Sequence, residues 1–204
     1  MKPGSTGCQS GTVFIVDDDE PVRHAMKLLL RSVGLDAETY ASGDDFLERF
    51  DRERPGCLVL DIRMPGIGGL ELQERLNALG SSMPIIFITA HGDVPMAVEA
   101  MQKGAFDFLQ KPFRDQQLLE KINGALSLDR HDRIEKTRGA DVVARRKLLT
   151  NREREVMALV VKGKPNKAIA FELGVSQRTV EIHRARVMKK MRAHSLAELV
   201  RMNV

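Results

Sequence analysis

The stretch CLVLDIRMPG at residues 57–66 constrains the fold more than any other part of the chain. Four apolar residues run without alternation into Asp61, and a run that short suits a strand buried on both faces of a parallel sheet. Pro65-Gly66 is a turn signal. Asp61 is therefore expected at the strand's carboxyl end, where open α/β sheets place their ligand crevices.

Strand-like and helix-like segments alternate around that stretch. TVFIV at 12–16 ends in Asp17, Asp18 and Asp19, and residues 21–33 then carry Val22, Met26, Leu29, Leu30 and Val33 at helical spacing. A weaker strand at 35–40 and a short helix at 42–50 precede the central strand. Leu70, Leu72, Leu76 and Leu79 mark the next helix. PIIFIT at 84–89 is a fourth strand and 94–103 a helix stopped by Gly104. Residues 106–109 are a fifth strand followed by Lys111-Pro112, and Leu118, Leu119, Ile122, Ala125 and Leu126 line a last helix. Such alternation predicts an α/β fold, a five-stranded parallel doubly wound sheet of flavodoxin-like 2-1-3-4-5 order with right-handed crossovers.

In that order the carboxyl ends of strands 1 and 3 flank the crevice, so Asp17, Asp18 and Asp61 are expected to converge. Three close carboxylates repel one another unless one is protonated or a cation holds them. Mg²⁺, or Mn²⁺ in its place, suits such a site because it takes few carboxylates, keeps waters and recruits phosphate oxygens. A carboxylate beside it can act as a nucleophile toward phosphorus. Thr89 at the end of strand 4 offers a hydroxyl to a phosphoryl oxygen, and Lys111 after strand 5 offers a positive charge.

The chain's 204 residues suit two domains, and the charge divides the same way. Residues 1–128 hold 13 Lys+Arg against 19 Asp+Glu, and residues 129–204 hold 19 against 9; charges of −6 and +10 make up the net +4. A basic back half favours a polyanion. No run approaches the ~20 apolar residues that cross a bilayer, and a cytoplasmic location is expected, with no membrane partner. Two cysteines, Cys8 and Cys57, predict neither a disulfide framework nor a zinc site. Absence of Trp and a lone Tyr40 argue against stacking on single-stranded nucleic acid. Residues 1–11 read as a disordered lead-in.

Residues 129–147 are polar and charged without a sustained apolar stripe and read as a linker, which as a flexible chain would span about 25 Å. Residues 148–204 read as an all-α, four-helix domain. Thr150-x-x-Glu153 is a capping box opening a helix with Val156, Met157, Leu159, Val160 and Val161. NKAIAFEL at 166–173, the Gly174-Val175-Ser176 turn and a capped helix to about Met191 form a helix-turn-helix, and Ser195-x-x-Glu198 caps a fourth helix. On the third helix Val180, Val187 and Met191 share one face. Arg178, Ile182, Ala185, Arg186 and Lys189 fall opposite, flanked by Thr179 and Glu181. Cations for phosphates and short or selected side chains for base edges are what a major-groove helix needs.

VDDDEPVR, LDIRMPG, FITAHGD and DFLQKPF, in that order, resemble the receiver domain of two-component response regulators over residues 12–128. Residues 149–191 resemble the LuxR-type helix-turn-helix, and the whole chain is similar to FixJ-type response regulators. The resemblance implies Asp61 as phosphoacceptor, Asp17 and Asp18 as metal-site acids and Arg63 as a backbone-carbonyl metal ligand. It implies Thr89 and Lys111 as phosphoryl-binding groups and Phe108 as the aromatic switch position. Glu181, Ile182 and Ala185 would face base edges, while Lys167, Arg178, Thr179, Lys189 and Lys190 would serve phosphates. The implied partners are a sensor histidine kinase, promoter DNA and RNA polymerase, with homodimerisation on phosphorylation and no turnover enzyme activity.

One departure is the loop after Pro65: Gly66, Ile67, Gly68 and Gly69 carry no acid where receivers commonly have one, and a more flexible loop is expected. His91 stands where dephosphorylation would be tuned. Arg184 lies toward the core side of its helix. An Mg²⁺-dependent phosphohydrolase using Asp61 as nucleophile is the alternative from another class; it would need a substrate pocket and a second acid. A phosphorylation-independent DNA binder is another.

Overall fold

The computed structural model describes residues 11–90 and 94–202. Residues 1–10 of the expected 1–11 lead-in, with Cys8, and His91 lie outside the described residues, while Gly11 is described and buried. Two compact units divide at Arg133/Ile134.

The first unit runs β1 Thr12–Val16, α1 Glu20–Ser32, β2 Ala37–Tyr40, α2 Gly43–Glu48, β3 Gly56–Asp61, α3 Gly69–Ala78, β4 Ile85–Thr89, α4 Val94–Gln102 and β5 Asp107–Gln110, then enters α5 Asp115–Lys147. The five strands are parallel in the order β2-β1-β3-β4-β5, as the apolar runs predict. Successive strand residues point to opposite faces, and both faces are covered. Phe14, Val16, Leu58, Leu60 and Phe87 pack on one side with Phe46, Leu72 and Leu76. Val13, Ile15, Val59, Ile86 and Ile88 pack on the other with Met26, Leu30, Leu118 and Ile122. Every residue of β3 is buried, so Asp61 is carried by a strand with no solvent face.

Two loops differ from expectation. The loop after Pro65 is not loosely held: Ile67 is buried, and Gly43 is the small residue that lets it in, since a Cβ there would lie 3.1 Å from Ile67 Cβ. At Gly69, which opens α3, a Cβ would lie 2.4 Å from the Asp61 carbonyl oxygen. The glycines there serve close approach of the loop to β3.

The second correction concerns residues 129–147. They are not a flexible linker but the continuation of α5, a single helix of 33 residues. Its first part buries Leu118, Ile122, Ala125 and Leu126 on the sheet. Asp129 extends the docked stretch by one turn: its carboxylate, almost wholly buried, accepts the Gly56 N–H at 3.0 Å. Arg133 Nε donates to both Asp129 oxygens at 2.9 Å, and its two terminal nitrogens donate to the Arg52, Glu53 and Arg54 carbonyls at 3.2, 2.9 and 2.7 Å. Polar docking of this kind leaves no apolar stripe, which is why a hydrophobic-periodicity reading misses it. Val142 packs with the core of the second unit, and Arg145 Nη1 donates to the Met191 carbonyl at 2.9 Å.

The second unit continues with α6 Asn151–Val161, α7 Asn166–Leu173, α8 Gln177–Met191 and α9 Leu196–Arg201 around Val156, Val160, Ile169, Val180, Val187, Met191 and Leu199. Thr150 and Glu153 form the expected capping box, and Ser176 and Ser195 cap α8 and α9. Among the described residues no helix is long and apolar enough to cross a membrane.

Removing the Asp129 carboxylate strands the buried Gly56 N–H and the Arg133 guanidinium. Asp129→Ala is expected to lower the unfolding free energy of the first unit by about 3 kcal/mol. Urea unfolding followed through Tyr40, the chain's single tyrosine in a protein without Trp, measures it.

Candidate phosphoacceptor site and DNA-binding face

The parallel register sets the carboxyl ends of β1, β3, β4 and β5 side by side, with Asp61 opposite Ile88 and Thr89 opposite Gln110. Asp17, directly after β1, is 1% exposed and Asp61 9%. Lys111 Nζ lies 3.0 Å from Asp17 Oδ2 and 2.8 Å from Asp61 Oδ1, so one ammonium bridges both buried carboxylates. The second Asp61 oxygen accepts the Arg63 N–H at 2.8 Å, and Asp17 Oδ1 accepts the Asp19 N–H at 2.9 Å. The Lys111 N–H donates to the Thr89 carbonyl at 2.7 Å, which ties the lysine's backbone to the end of β4.

Burial is the largest influence on Asp61 and pushes its carboxyl up; the hydrogen bond and charge of Lys111 pull it back without cancelling the rise. Burial also acts most on Lys111, downward, yet the hydrogen bonds to Asp61 and Asp17 together outweigh it and the ammonium is held above its ordinary range.

Asp18 is exposed, and no group of three acids is drawn together around a cation position among the described residues. The expected convergence of three carboxylates is thus a convergence of two, Asp17 and Asp61, on one cation. Asp19 instead caps α1, its carboxylate accepting the Val22 N–H at 3.4 Å. Two carboxylates that already share a cation, beside an exposed third acid, are a donor set that fits Mg²⁺, which keeps several waters.

Thr89 is 1% exposed, and its hydroxyl has no hydrogen-bond partner among the described residues. A buried hydroxyl left unpaired costs about 1–3 kcal/mol, so such an atom marks a place where a ligand oxygen would be welcome. Phe108, in β5, is half-buried and packs with the α2–α3–α4 side of the core.

In the second unit Gly174 takes the left-handed conformation, φ 64°, that ends α7 and turns the chain into α8. Arg178, Glu181, Ile182, Ala185, Arg186 and Lys189 are all exposed on α8, and Lys167 is exposed on α7. Thr179 is half-buried with its hydroxyl 2.8 Å from that of Ser176.

Lys190 departs from the expected set. Its ammonium pairs with Glu153 at 2.6 Å and ties α8 to the capping box of α6, so it serves the fold and not the outer face. That hydrogen bond, then the Thr150 N–H, holds the Glu153 carboxyl below its usual range. Arg184, unassigned by helical angle, donates from Nη1 to Asn166 Oδ1 at 3.0 Å and joins α8 to the start of α7. Both pairings span many residues, 37 and 18, and carry no local signal.

Comparisons with known proteins fall on the same two units. Residues 13–123 match the response regulator receiver domain, and residues 147–203 match the LuxR family of bacterial regulatory proteins. The chain belongs to the two-component response regulators that join a receiver to a LuxR-type DNA-binding domain, proteins of transcription regulation. Within them it is of the FixJ type. It is 47% identical over 191 residues to the transcriptional regulatory protein FixJ of Rhizobium meliloti (strain 1021), covering 94% of each chain. It is 42% identical over 208 residues to the response regulator protein TodT of Pseudomonas putida, covering 98% of this chain and 92% of that protein. The solved structure of the response regulator StyR is 47% identical, with a TM-score of 0.86 over 94% of this chain and 97% of that one.

Two outcomes test these assignments of stability. Thr89→Val, which removes the unpaired hydroxyl at constant shape, is expected to stabilise the first unit by about 1 kcal/mol in the Tyr40 unfolding transition. Glu153, a carboxylate held low, binds fewer protons in the folded than in the unfolded state. Its contribution is full above its ordinary range and is lost as pH falls through the folded value. Glu153→Gln is expected to cost about 1–3 kcal/mol at pH 7 and to flatten the acid side of the stability profile, read by circular dichroism of helix unfolding.

Proposed function

We propose that Asp61 accepts a phosphoryl group from a sensor histidine kinase, and that the phosphorylated protein dimerises and binds promoter DNA to control transcription. The observation that carries the reading is the buried Thr89 hydroxyl, without a partner among the described residues, beside an Asp61 already met by Lys111. An Asp61 oxygen would attack phosphorus, breaking the P–N bond to the kinase's phosphohistidine and releasing the imidazole. Lys111 would then move from the carboxylate to a phosphoryl oxygen, and the Thr89 hydroxyl would donate to another. Phe108, half-buried on β5 beside the strand that carries Thr89, would follow Thr89 inward.

Asp17, Asp18, Asp61 and the Arg63 carbonyl would hold Mg²⁺ or Mn²⁺. The metal would neutralise the charge of the transferring phosphoryl oxygens. Phosphorylation adds about −1.5 to −2 charge, which two cations, the ammonium and the metal, would balance.

The face of α4 and β5, next to Thr89 and Lys111, is the surface that would pair two activated receivers. Two DNA-binding units would then reach half-sites roughly 34 Å apart. Arg178, Lys189, Lys167 and Arg186 would meet phosphates, Thr179 would support them at the start of α8, and Glu181, Ile182 and Ala185 would approach base edges. RNA polymerase is the partner such a promoter-bound dimer would engage.

Incubation of the purified protein with Mg²⁺ and acetyl phosphate, followed by intact mass, is the test. One phosphoryl group per chain on the wild type and none on Asp61→Asn is expected, with dimerisation and tighter DNA binding only in the wild type. Uptake by Asp61→Asn, or equal DNA binding by both proteins, would overturn it. Continuous release of phosphate from small esters would point to the hydrolase instead.

A further inference from the structure

A second concavity lies in the LuxR-type unit, away from the outer face of α8. It is a half-open trough of about 440 Å³ along α6, lined by Arg154, Met157, Ala158, Val161 and Lys162, with Arg146, Leu149 and Val200 closing it from the end of α5 and from α9. Met157 and Leu149 are buried and form its floor, and Val161 and Val200 are half-buried at its sides. Val156 and Val160, buried in the unit's core, and the Lys190-bound Glu153 lie on a different stripe of α6. A ligand in the trough would therefore leave the outer face of α8 open.

The lining has one sign of charge. Arg146, Arg154 and Lys162 are cationic, and among the described residues no acid lines the trough. Arg146 Nη2 donates to the Met202 carbonyl at 3.2 Å, and Arg154 Nη2 to Asn151 Oδ1 at 2.8 Å, a bond that engages only part of the Arg154 donor fork. Apolar walls with a few convergent polar groups are the usual make-up of a small-ligand site, and the volume is within the usual range. DNA phosphate would gain nothing from the apolar floor. From Arg154 to Lys162 the trough spans about 12 Å of helix, room for about three or four extended peptide residues and a good match to a single short chain.

We propose that this trough binds a small amphiphilic carboxylate, an aliphatic or aryl-alkyl monoanion. Its apolar body lies on Leu149, Met157, Val161 and Val200, and its carboxylate meets Arg154 and Lys162.

The test is methyl NMR of the full chain titrated with octanoate, with octan-1-ol and octylammonium as probes of the charge. Octanoate is expected to give saturable shifts at the Leu149, Met157, Val161 and Val200 methyls, with the two control ligands far weaker. Arg154→Glu combined with Lys162→Glu, and separately Ala158→Trp, which fills the trough from an exposed position, should each weaken octanoate at least about tenfold while other methyl signals stay in place. The proposal is overturned if millimolar octanoate shifts none of these methyls, if octan-1-ol binds as well, or if neither variant weakens binding. Shifts centred on the cations of α8 would show non-specific anion binding and overturn it too. Binding of a leucine–glutamate hexapeptide without binding of octanoate would make the trough a protein-docking groove and end the small-ligand reading.

Discussion

The ammonium of Lys111 between Asp17 and Asp61 is the contact on which the site depends. A parallel sheet covered on both faces delivers its strand ends into a crevice with little water, and there two carboxylates a few ångströms apart are costly. One lysine after β5 removes most of that cost, and it does so across the full width of the site, since β1 and β3 are central and β5 is at the edge. The trio then carries a residual negative charge. That excess explains why the same oxygens suit a divalent cation, and why a phosphoryl group added at Asp61 would demand the redistribution of Lys111.

The backbone around Asp61 leaves little freedom to respond. β3 is wholly buried, and Gly69 brings the following helix so close to the Asp61 carbonyl that even a methyl would not fit. Ile67 pins the loop between them. Adjustment to a phosphoryl group added there would therefore fall to side chains on the neighbouring strands. Thr89 has a hydroxyl unpaired among the described residues, and Phe108 is only half-buried. A rigid carboxylate beside adjustable neighbours is an arrangement in which an added local charge would become a change of surface.

Most of the first unit was legible because burial on both faces writes itself into sequence as unbroken apolar runs, and the turn after Asp61 fixes where the strand ends. Asp61, Lys111 and Thr89 followed from their places at strand ends. What escaped was polar and long-range. Asp129 and Arg133 dock α5 through hydrogen bonds to a loop some eighty residues earlier, so a charged stretch that lacks an apolar stripe is nevertheless helix. The three successive acids also read alike, yet Asp17 is buried on Lys111, Asp18 is exposed and Asp19 caps α1. Composition cannot rank them; the start of α1 does, because its first N–H groups need an acceptor.

The basic second unit shows the same limit for cations. Its excess positive charge points to a polyanion, but individual cations divide by what they touch. Lys190 is spent on a buried carboxylate and Arg184 on an asparagine, and both join α8 to its neighbours. Arg178, Arg186 and Lys189 stay exposed on the outer side of the same helix. Helical angle separates these sets only approximately, because a lysine stem is long enough to bend from the flank of a helix to whichever acid is buried nearby. The cations fixed inward hold α8 in place, and a helix held in place would let those facing outward meet a regular array of phosphates in register.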